Sequence, residues 1–319
     1  MTDSSPVPLR TLAPAKFRDP DITAKGEPRG TVAFERLDTL WFNTGTLCNL
    51  TCRNCYIESS PRNDRLVYLT ADELRVFLDE IAQGSFSTRE IGFTGGEPFM
   101  NPEIMAMLDE ALGRGFHVLV LTNATRPMMC HAQALAALRE RHGERLVLRV
   151  SIDHYSQALH ELERGAGTWA PAIEGLTWLA RNGVRVNVAG RTCWGEPEAE
   201  MRKGYARLFA DLGVPVNAQD PVELVLFPEM DPEMDVPEIT ENCWSILDVD
   251  PATMMCATSR MVVRRKGAAR PVVLPCTLLA YDPQFELGHT LAEAQGTVRL
   301  NHPHCARFCV LGGASCSRG

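Results

Sequence analysis

The sequence has no long hydrophobic run and no excess of positive charge. No stretch reaches the roughly 18 uninterrupted apolar residues of a membrane span, and residues 1–25 lack an apolar run behind a basic start. The 319 residues include 32 basic and 40 acidic side chains, and the resulting net charge of -8 argues against nucleic acid or an anionic membrane as the main partner. We therefore expect a cytoplasmic protein that binds neither.

Cysteine, in contrast, is abundant, with eleven residues in the chain. In a reducing compartment, clustered cysteines bind metal or take part in catalysis more often than they form disulfides. Three lie between Cys48 and Cys55 and six follow residue 240, which suggests two separate sites. Cys130 and Cys193 stand apart from both groups and are interpreted as core residues.

Short β-type segments alternate with longer amphipathic segments between residues 38 and 228. This alternation is typical of βα units around a parallel sheet. The predicted strands are residues 39–43, 90–94, 117–122, 146–152, 184–189 and 223–227. Six such units predict a partial (β/α)6 barrel of the TIM type, in which the chemistry takes place at the C-terminal ends of the strands.

Helix start signals agree with this pattern. Thr70 and Glu73 form a capping box before an amphipathic segment. Asn101 and Pro102 have the residue types of a helix cap and a first helical position, so they predict the start of the next helix.

The chain on either side of the barrel has a different pattern. Residues 1–38 show no lasting periodicity and are predicted to be a lead segment packed over the surface. The barrel is expected to span residues 39–235. Residues 236–319, in which short segments are rich in Cys, Gly and Pro, are expected to form a small C-terminal domain.

The first cysteine group reads Cys48-Asn-Leu-Thr-Cys52-Arg-Asn-Cys55-Tyr56 and follows directly on the first predicted strand. A structural zinc ion takes four protein ligands, and no fourth Cys or His lies close in the sequence. Three cysteines instead suit an iron-sulfur cluster with one iron left open to a substrate. Buried, unliganded thiols fit poorly with the polar residues between them.

This Cys-x3-Cys-x2-Cys motif followed by an aromatic residue resembles the signature of the radical S-adenosylmethionine (SAM) superfamily. The resemblance implies that Cys48, Cys52 and Cys55 hold a catalytic 4Fe-4S cluster whose open iron chelates the amino and carboxylate groups of SAM. It also implies that Tyr56 lies near the adenine.

A second motif, Gly95-Gly96-Glu97-Pro98, ends the second predicted strand. Its two glycines allow a ligand to approach the backbone, and Glu97 is expected to place a carboxylate beside an exposed edge. The motif is similar to the Gly-Gly-Glu-Pro segment of the same family, which receives the amino group of SAM.

Further positions resemble SAM contacts of the family. Asn123 ends the third predicted strand, and Ser151 and Asp153 end the fourth; capping of the next helix is an equally good interpretation of Asn123 and Ser151. The segment from His160 to Gly165 resembles the His-Asp-x-x-Arg motif of the SPASM and Twitch subgroup. That motif implies that Arg164 pairs with the SAM carboxylate, with Arg191 as the second choice.

The C-terminal cysteines resemble a Twitch or shortened SPASM region, which carries an auxiliary 4Fe-4S cluster. The proposed ligands are Cys256, Cys276, Cys305, Cys309 and Cys316, one more than such a site needs. A zinc site remains open, because four cysteines at such spacings also suit a closed tetrahedral ion. His302 and His304 are interpreted as parts of a solvated turn.

The resemblance implies reductive cleavage of SAM and abstraction of hydrogen from a substrate by the 5′-deoxyadenosyl radical. An auxiliary cluster would favour a net oxidation or a cross-link. The expected partners are a reductant such as a flavodoxin or ferredoxin and a small-molecule or peptide substrate. Two alternatives remain open, namely maturation of a ribosomal peptide and a non-catalytic iron-sulfur or zinc protein that regulates or scaffolds.

Overall fold

The computed structural model of the chain describes residues 11–84, 86–231 and 233–313. The strands are β1 (Thr31–Val32), β2 (Thr39–Asn43), β3 (Glu90–Thr94), β4 (His117–Thr122), β5 (Leu146–Ser151), β6 (Arg185–Arg191), β7 (Leu224–Phe227), β8 (Ser259–Val263), β9 (Val272–Leu274) and β10 (Val298–Arg299). The helices are α1 (Ala71–Gln83), α2 (Ile104–Gly113), α3 (Arg126–Met129), α4 (Ala132–His142), α5 (Gln157–Arg164), α6 (Trp169–Arg181), α7 (Glu198–Leu212), α8 (Cys243–Leu247) and α9 (Met255–Thr258).

Strands β2 to β7 lie side by side in chain order, and each runs parallel to the next. The predicted partial (β/α)6 barrel is confirmed. Strands β2, β3 and β4 have the predicted bounds, while β5, β6 and β7 differ by one or two residues at an end.

Alternate side chains of the strands point to two different cores. Leu40 and Phe42 of β2 face the helices, where Phe42 stacks on Phe93 of β3. Trp41 faces the inside of the barrel instead. Gly92 is required beside it, since a Cβ at position 92 would lie 2.3 Å from an indole carbon of Trp41.

The chain beyond residue 235 extends the same sheet. Strand β8 pairs in parallel with β2, and β9 pairs antiparallel with β8. The interior apolar cluster continues from Trp41 and Leu119 to Met261 and Leu274. The predicted boundary near residue 235 therefore marks the end of the βα units, whereas the sheet continues past it.

The lead segment is more deeply integrated than the sequence predicted. Strand β1 pairs antiparallel with β10 near the C-terminus. Arg29 and Glu238 form an ion pair of 2.7 Å with side chains only 1% and 6% exposed. Residues 11–28 are mostly exposed, whereas Arg29 and Val32 are buried. A two-residue strand is too short to show alternation in the sequence.

Two smaller predictions also need correction, although the capping box of Thr70 and Glu73 is confirmed. Helix α2 begins at Ile104, three residues after Asn101, and Glu103 is at its cap position. The Asn101 Oδ1 accepts from the N–H of Glu103 at 2.9 Å, and its amide nitrogen donates to the carbonyls of Thr44 and Leu69. Cys130 is exposed, so its assignment to the core is wrong.

No helix within the described ranges is long and apolar enough to cross a membrane.

Candidate functional site

A cavity of ≈ 170 Å³ lies at the C-terminal ends of the parallel strands. Most residues predicted to bind the cluster or SAM line it, namely Cys48, Cys52, Cys55, Tyr56, Gly95, Gly96, Asn123, Ser151, Asp153, Arg164 and Arg191. The strand ends thus bring together residues that are far apart in the sequence. Glu97 and Pro98 are not among the lining residues and lie buried behind the wall.

The three N-terminal cysteines are free thiols, of which Cys48 is buried and Cys52 and Cys55 are half-buried. Burial raises the pKa of Cys48 to about 12, and nearby acidic groups, including the other two thiols, add to the effect. Burial likewise raises the pKa of Cys52 to about 11. Backbone N–H groups of Leu50 and Ser59 donate to the sulfurs of Cys48 and Cys55, each at 3.4 Å.

This donor set fits an iron-sulfur cluster. Thiols that burial keeps protonated become thiolate ligands once iron supplies the compensating positive charge. Within the described ranges, no three His, Cys, Asp or Glu side chains are placed to hold a single metal ion, so the fit is one of donor chemistry.

Asn123 connects the first cysteine to the third barrel strand. Its amide nitrogen lies 3.8 Å from the Cys48 sulfur and donates to Asn49 Oδ1 at 3.0 Å. Its Oδ1 accepts from the N–H and hydroxyl groups of Thr125, which caps α3. Asn123 therefore lines the cavity and shapes the turn, but the caps of the following helices are Thr125 and Ser156, so the capping interpretation is wrong for Asn123 and Ser151.

Glu97 is 1% exposed, so the expectation that it stands beside an exposed edge is wrong. Its carboxylate accepts hydrogen bonds from Thr122 Oγ1, from the N–H of Asn123 and from the N–H of Phe99. Burial raises the pKa of Glu97 to about 7, although these hydrogen bonds act to lower it. The carboxylate fixes the ends of two strands behind the cavity.

The two glycines before Glu97 are required by the chain itself. A Cβ at Gly95 would lie 2.4 Å from the carbonyl oxygen of Gly45, and one at Gly96 would lie 2.1 Å from that of Leu47. The glycines line the cavity, but the backbone that approaches them is the segment leading into Cys48. The sequence-based explanation, close approach of a ligand, is therefore incomplete.

Arg164 and Asp153 face each other at the cavity. The guanidinium donates from Nε at 2.7 Å and from Nη2 at 3.1 Å to the two carboxylate oxygens. The side chains are 14% and 6% exposed, so Arg164 is not a solvated surface residue. Its planar fork is of the type that also recognises a SAM carboxylate.

Sequence reasoning missed several residues of the cavity. Glu163 is 2% exposed and contacts Asn54 in residues 48–55, which we call the cysteine segment. Phe227, Met230, Leu278 and Phe308 form an apolar wall, with the rings of Phe227 and Phe308 5.4 Å apart. No local pattern marks these residues, because they lie on separate segments that only the fold brings together.

The second cysteine group lines a smaller apolar cavity. Cys256, Cys276, Cys305 and Cys309 all contribute to it, and the last two belong to a π-helical turn, Cys305–Val310. Burial raises the pKa of Cys256 to about 11 and that of Cys305 well above its usual value. Cys316 lies outside the described residues.

His304 also lines this smaller cavity. It is 5% exposed, so its assignment to a solvated turn is wrong. Burial lowers the pKa of His304 to about 3. The neutral imidazole of His304 therefore lines the same cavity as the four thiols.

Comparison with known proteins agrees with this geometry. The sequence pattern of the radical SAM superfamily matches residues 42–205. Over 143 residues the chain is 30% identical to the antilisterial bacteriocin subtilosin biosynthesis protein AlbA of Bacillus subtilis (strain 168), covering 44% of this chain and 30% of AlbA. It is 29% identical to the mycofactocin maturase MftC of Mycobacterium ulcerans (strain Agy99), covering 43% of this chain and 34% of MftC.

A solved structure has a similar fold. SuiB of Streptococcus suis bound to S-adenosylmethionine superposes with a TM-score of 0.58 at 12% identity, covering 80% of this chain and 63% of SuiB. Among the curated relatives, the chain aligns with 30% of AlbA and 34% of MftC, about a third of the length of each.

The matched pattern covers more than half of the chain, and the chain belongs to the radical SAM superfamily. As predicted, its relatives are of the SPASM and Twitch subgroup.

Proposed function

We propose that this protein cleaves SAM reductively and uses the resulting radical to abstract hydrogen from a bound substrate. The observation that carries the proposal is that Cys48, Cys52 and Cys55 line one cavity together with the Gly95-Gly96 turn and Arg164. When bound, a 4Fe-4S cluster on these cysteines would pass one electron to SAM, giving methionine and a 5′-deoxyadenosyl radical.

The chain's own residues would bind and orient SAM and exclude water. Arg164 supplies a guanidinium for the methionine carboxylate, while Asn123 and Ser151 present polar groups at adjacent strand ends. Phe227 and Phe308 add adjacent apolar rings to the cavity lining, which protects a radical from solvent. A flavodoxin or ferredoxin is the proposed electron donor.

Product analysis tests this function. Anaerobically reconstituted protein, given SAM and dithionite, should form 5′-deoxyadenosine and methionine in equal amounts. The Cys52→Ala variant should form neither. Absence of 5′-deoxyadenosine from protein that holds a full cluster would overturn the proposal and favour a non-catalytic binding protein.

We further propose that the second cysteine group holds an auxiliary 4Fe-4S cluster next to the substrate. Leu278 lines both cavities, and the turn Cys305–Val310 presents Phe308 to the first cavity and Cys305 and Cys309 to the second. A cluster there would supply an acceptor for the electron of a substrate radical, which makes a net oxidation or a cross-link the favoured outcome.

Metal analysis separates the auxiliary cluster from zinc. Reconstituted protein should carry about eight irons, two clusters of the 4Fe-4S type, and replacement of Cys48, Cys52 and Cys55 by Ala should remove about half of them. Four irons with one stoichiometric zinc ion would overturn the auxiliary cluster alone and leave the first site standing.

A peptide is the substrate that AlbA, MftC and SuiB suggest, whereas other similar proteins are named as haem or coproporphyrin synthases. AlbA is named for the biosynthesis of a bacteriocin and MftC as a maturase, and SuiB has been solved with the precursor peptide SuiA. A candidate precursor peptide, co-expressed with this protein, should lose two hydrogen atoms, as measured by mass spectrometry. The same peptide co-expressed with the Cys52→Ala variant should keep its mass.

A further inference from the structure

The segment between the second and third cysteines is fastened to helix α5 by Glu163. The carboxylate accepts from the backbone N–H of Asn54 and from its side-chain amide, both at 2.9 Å. The backbone carbonyl of Glu163 accepts from the N–H of Arg53 at 2.7 Å. One residue of α5 thus holds two consecutive residues of the cysteine segment.

Arg191, at the end of β6, completes this contact from the other side. Its Nη1 donates to the carbonyl of Asn54 and to Glu163 Oε1, both at 3.0 Å. Its Nη2 donates to Glu229 at 3.2 Å. The Asn54 residue is therefore held by an anion at its N–H group and by a cation at its carbonyl group.

Burial makes these contacts strong. The Glu163 side chain is 2% exposed and that of Arg191 14% exposed. Hydrogen bonds to ionised groups are the stronger ones, and an ion that loses its partner inside a protein is costly. The cysteine segment is also held at Cys48 and Asn49 by Asn123, so it is restrained at both ends.

We propose that Glu163 and Arg191 are positioning residues that hold residues 52–55 in the cluster-binding conformation before iron is present. The proposal rests on the proposed function in that these cysteines are taken as cluster ligands. A site whose three thiols are already in place binds a cluster without having to order the segment first. Arg191 then acts on cluster assembly, and the SAM carboxylate is left to Arg164.

Thiol labelling of the metal-free protein tests the restraint without a cluster. Alkylation of Cys52 and Cys55 by iodoacetamide is followed by mass spectrometry in wild type and in the variants Glu163→Gln and Arg191→Met, which change the local charge in opposite directions, with the exposed Cys130 as internal control. Loss of a charge-assisted hydrogen bond that restrains local opening should speed labelling of Cys52 and Cys55 roughly tenfold. The rate at Cys130 should not change.

Iron uptake tests the consequence for the cluster. Glu163→Gln and Arg191→Met should take up iron at the first site more slowly and retain less of it, and Arg191→Lys should restore part of the loss because it keeps the charge without the fork. Glu229→Gln is the matched control, because it removes an ion pair of Arg191 that does not touch the cysteine segment. It should load iron like wild type.

Wild-type labelling rates and wild-type iron uptake in Glu163→Gln and Arg191→Met would overturn the inference. If wild type itself takes up no iron on Cys48, Cys52 and Cys55, the proposed function fails instead, and the labelling result still decides whether the restraint exists. Arg191→Met covers the case in which Glu163→Gln does not fold, with thermal melting as the check.

Discussion

Among single residues, Arg164 and Asp153 decide how the cavity meets an anionic ligand. The two carboxylate oxygens of Asp153 already occupy the Nε and Nη2 groups of Arg164. A SAM carboxylate must therefore use the remaining donors of the guanidinium or displace Asp153. In both cases the guanidinium of Arg164 provides the positive charge for the carboxylate in the cavity that the cysteines also line.

Replacement of Arg164 by alanine should weaken SAM binding by about 1.5–3 kcal/mol, or roughly ten- to hundredfold, as expected for a charge-assisted pair out of water. Lysine should restore only part of the affinity, because it keeps the charge but lacks the planar fork. Titration of the cluster signal with SAM measures the affinities, with iron content as the control. Equal affinity in all three proteins would assign the carboxylate to another group.

The carboxyl of Glu97 predicts a pH dependence of stability. Its pKa of about 7 in the folded chain lies above the ordinary value of 4.5 because the group is buried. The folded chain then binds the proton more tightly than the unfolded chain does, so this group lowers the free energy of unfolding as pH rises from about 4.5 to about 7.

Urea unfolding of the metal-free protein at several pH values in this window measures the effect. Glu97→Gln cannot titrate, and its free energy of unfolding should fall less steeply with pH than that of wild type. Parallel curves for the two proteins would show that Glu97 has the same pKa in both states.

Among the structural elements, the turn after β3 depends on its packing against the segment that enters the cysteine loop. The N–H of Gly96 donates to the carbonyl of Gly45, and the N–H of Glu97 to that of Leu47. The two chain segments are too close for a side chain at position 96. This contact links the Gly-Gly-Glu-Pro motif to Cys48 through the backbone.

Gly96→Ala should therefore destabilise the protein by about 1–3 kcal/mol, as overpacking does in a close-packed site, and should also lower iron retention. Gly113→Ala, at the end of α2, is the matched control, because a Cβ there meets no atom of the described ranges within 4 Å. It should be neutral or slightly stabilising. Chemical denaturation and iron analysis of the two variants provide the comparison, and equal stability would show that the turn can shift without cost.

The elements that the sequence predicts well are those with strong local signals. Strands β2 to β4 carry continuous apolar residues with clear ends, and Thr70 with Glu73 marks the start of α1. The predicted start of α2 is too early, since Asn101 accepts from the N–H of Glu103 in a turn before the helix and its amide nitrogen bonds to Thr44 and Leu69 in another segment. Local patterns cannot reveal a partner that is distant in the sequence.

The same limit applies to the site. The cysteine and Gly-Gly-Glu-Pro motifs are local, and their residues meet as expected apart from the burial of Glu97. Glu163 and Phe308 escape prediction, since their roles depend on which segments the fold brings beside them. Parallel pairing of β8 with β2 likewise leaves no mark in the sequence.

In the molecule as a whole, the lead segment and the C-terminal segment stabilise each other. Glu238 accepts from the N–H groups of Phe17 and Ala24 and from the guanidinium of Arg29. Strands β1 and β10 pair beside this cluster of hydrogen bonds. The two ends of the described chain are thereby tied to the region that carries the second cysteine group.

Arg29→Ala should cost about 3–5 kcal/mol, because it leaves the buried carboxylate of Glu238 without its ion-pair partner. The exposed pair of Lys203 and Glu200 is the control, and Lys203→Ala should cost at most about 0.5 kcal/mol. Urea unfolding measures both. Similar small losses in the two variants would mean that the lead segment contributes little to stability.

The function proposed for this protein depends on Cys48, Cys52 and Cys55 holding a 4Fe-4S cluster with one iron open to SAM. Electron paramagnetic resonance of the dithionite-reduced, reconstituted protein, recorded with and without SAM, is the decisive measurement. We expect a 4Fe-4S signal that changes when SAM is added, and we expect this SAM-sensitive signal to disappear in the Cys48→Ala, Cys52→Ala and Cys55→Ala variants. A reduced cluster signal that SAM leaves unchanged, or one that survives loss of these cysteines with its SAM response intact, would contradict the proposed site.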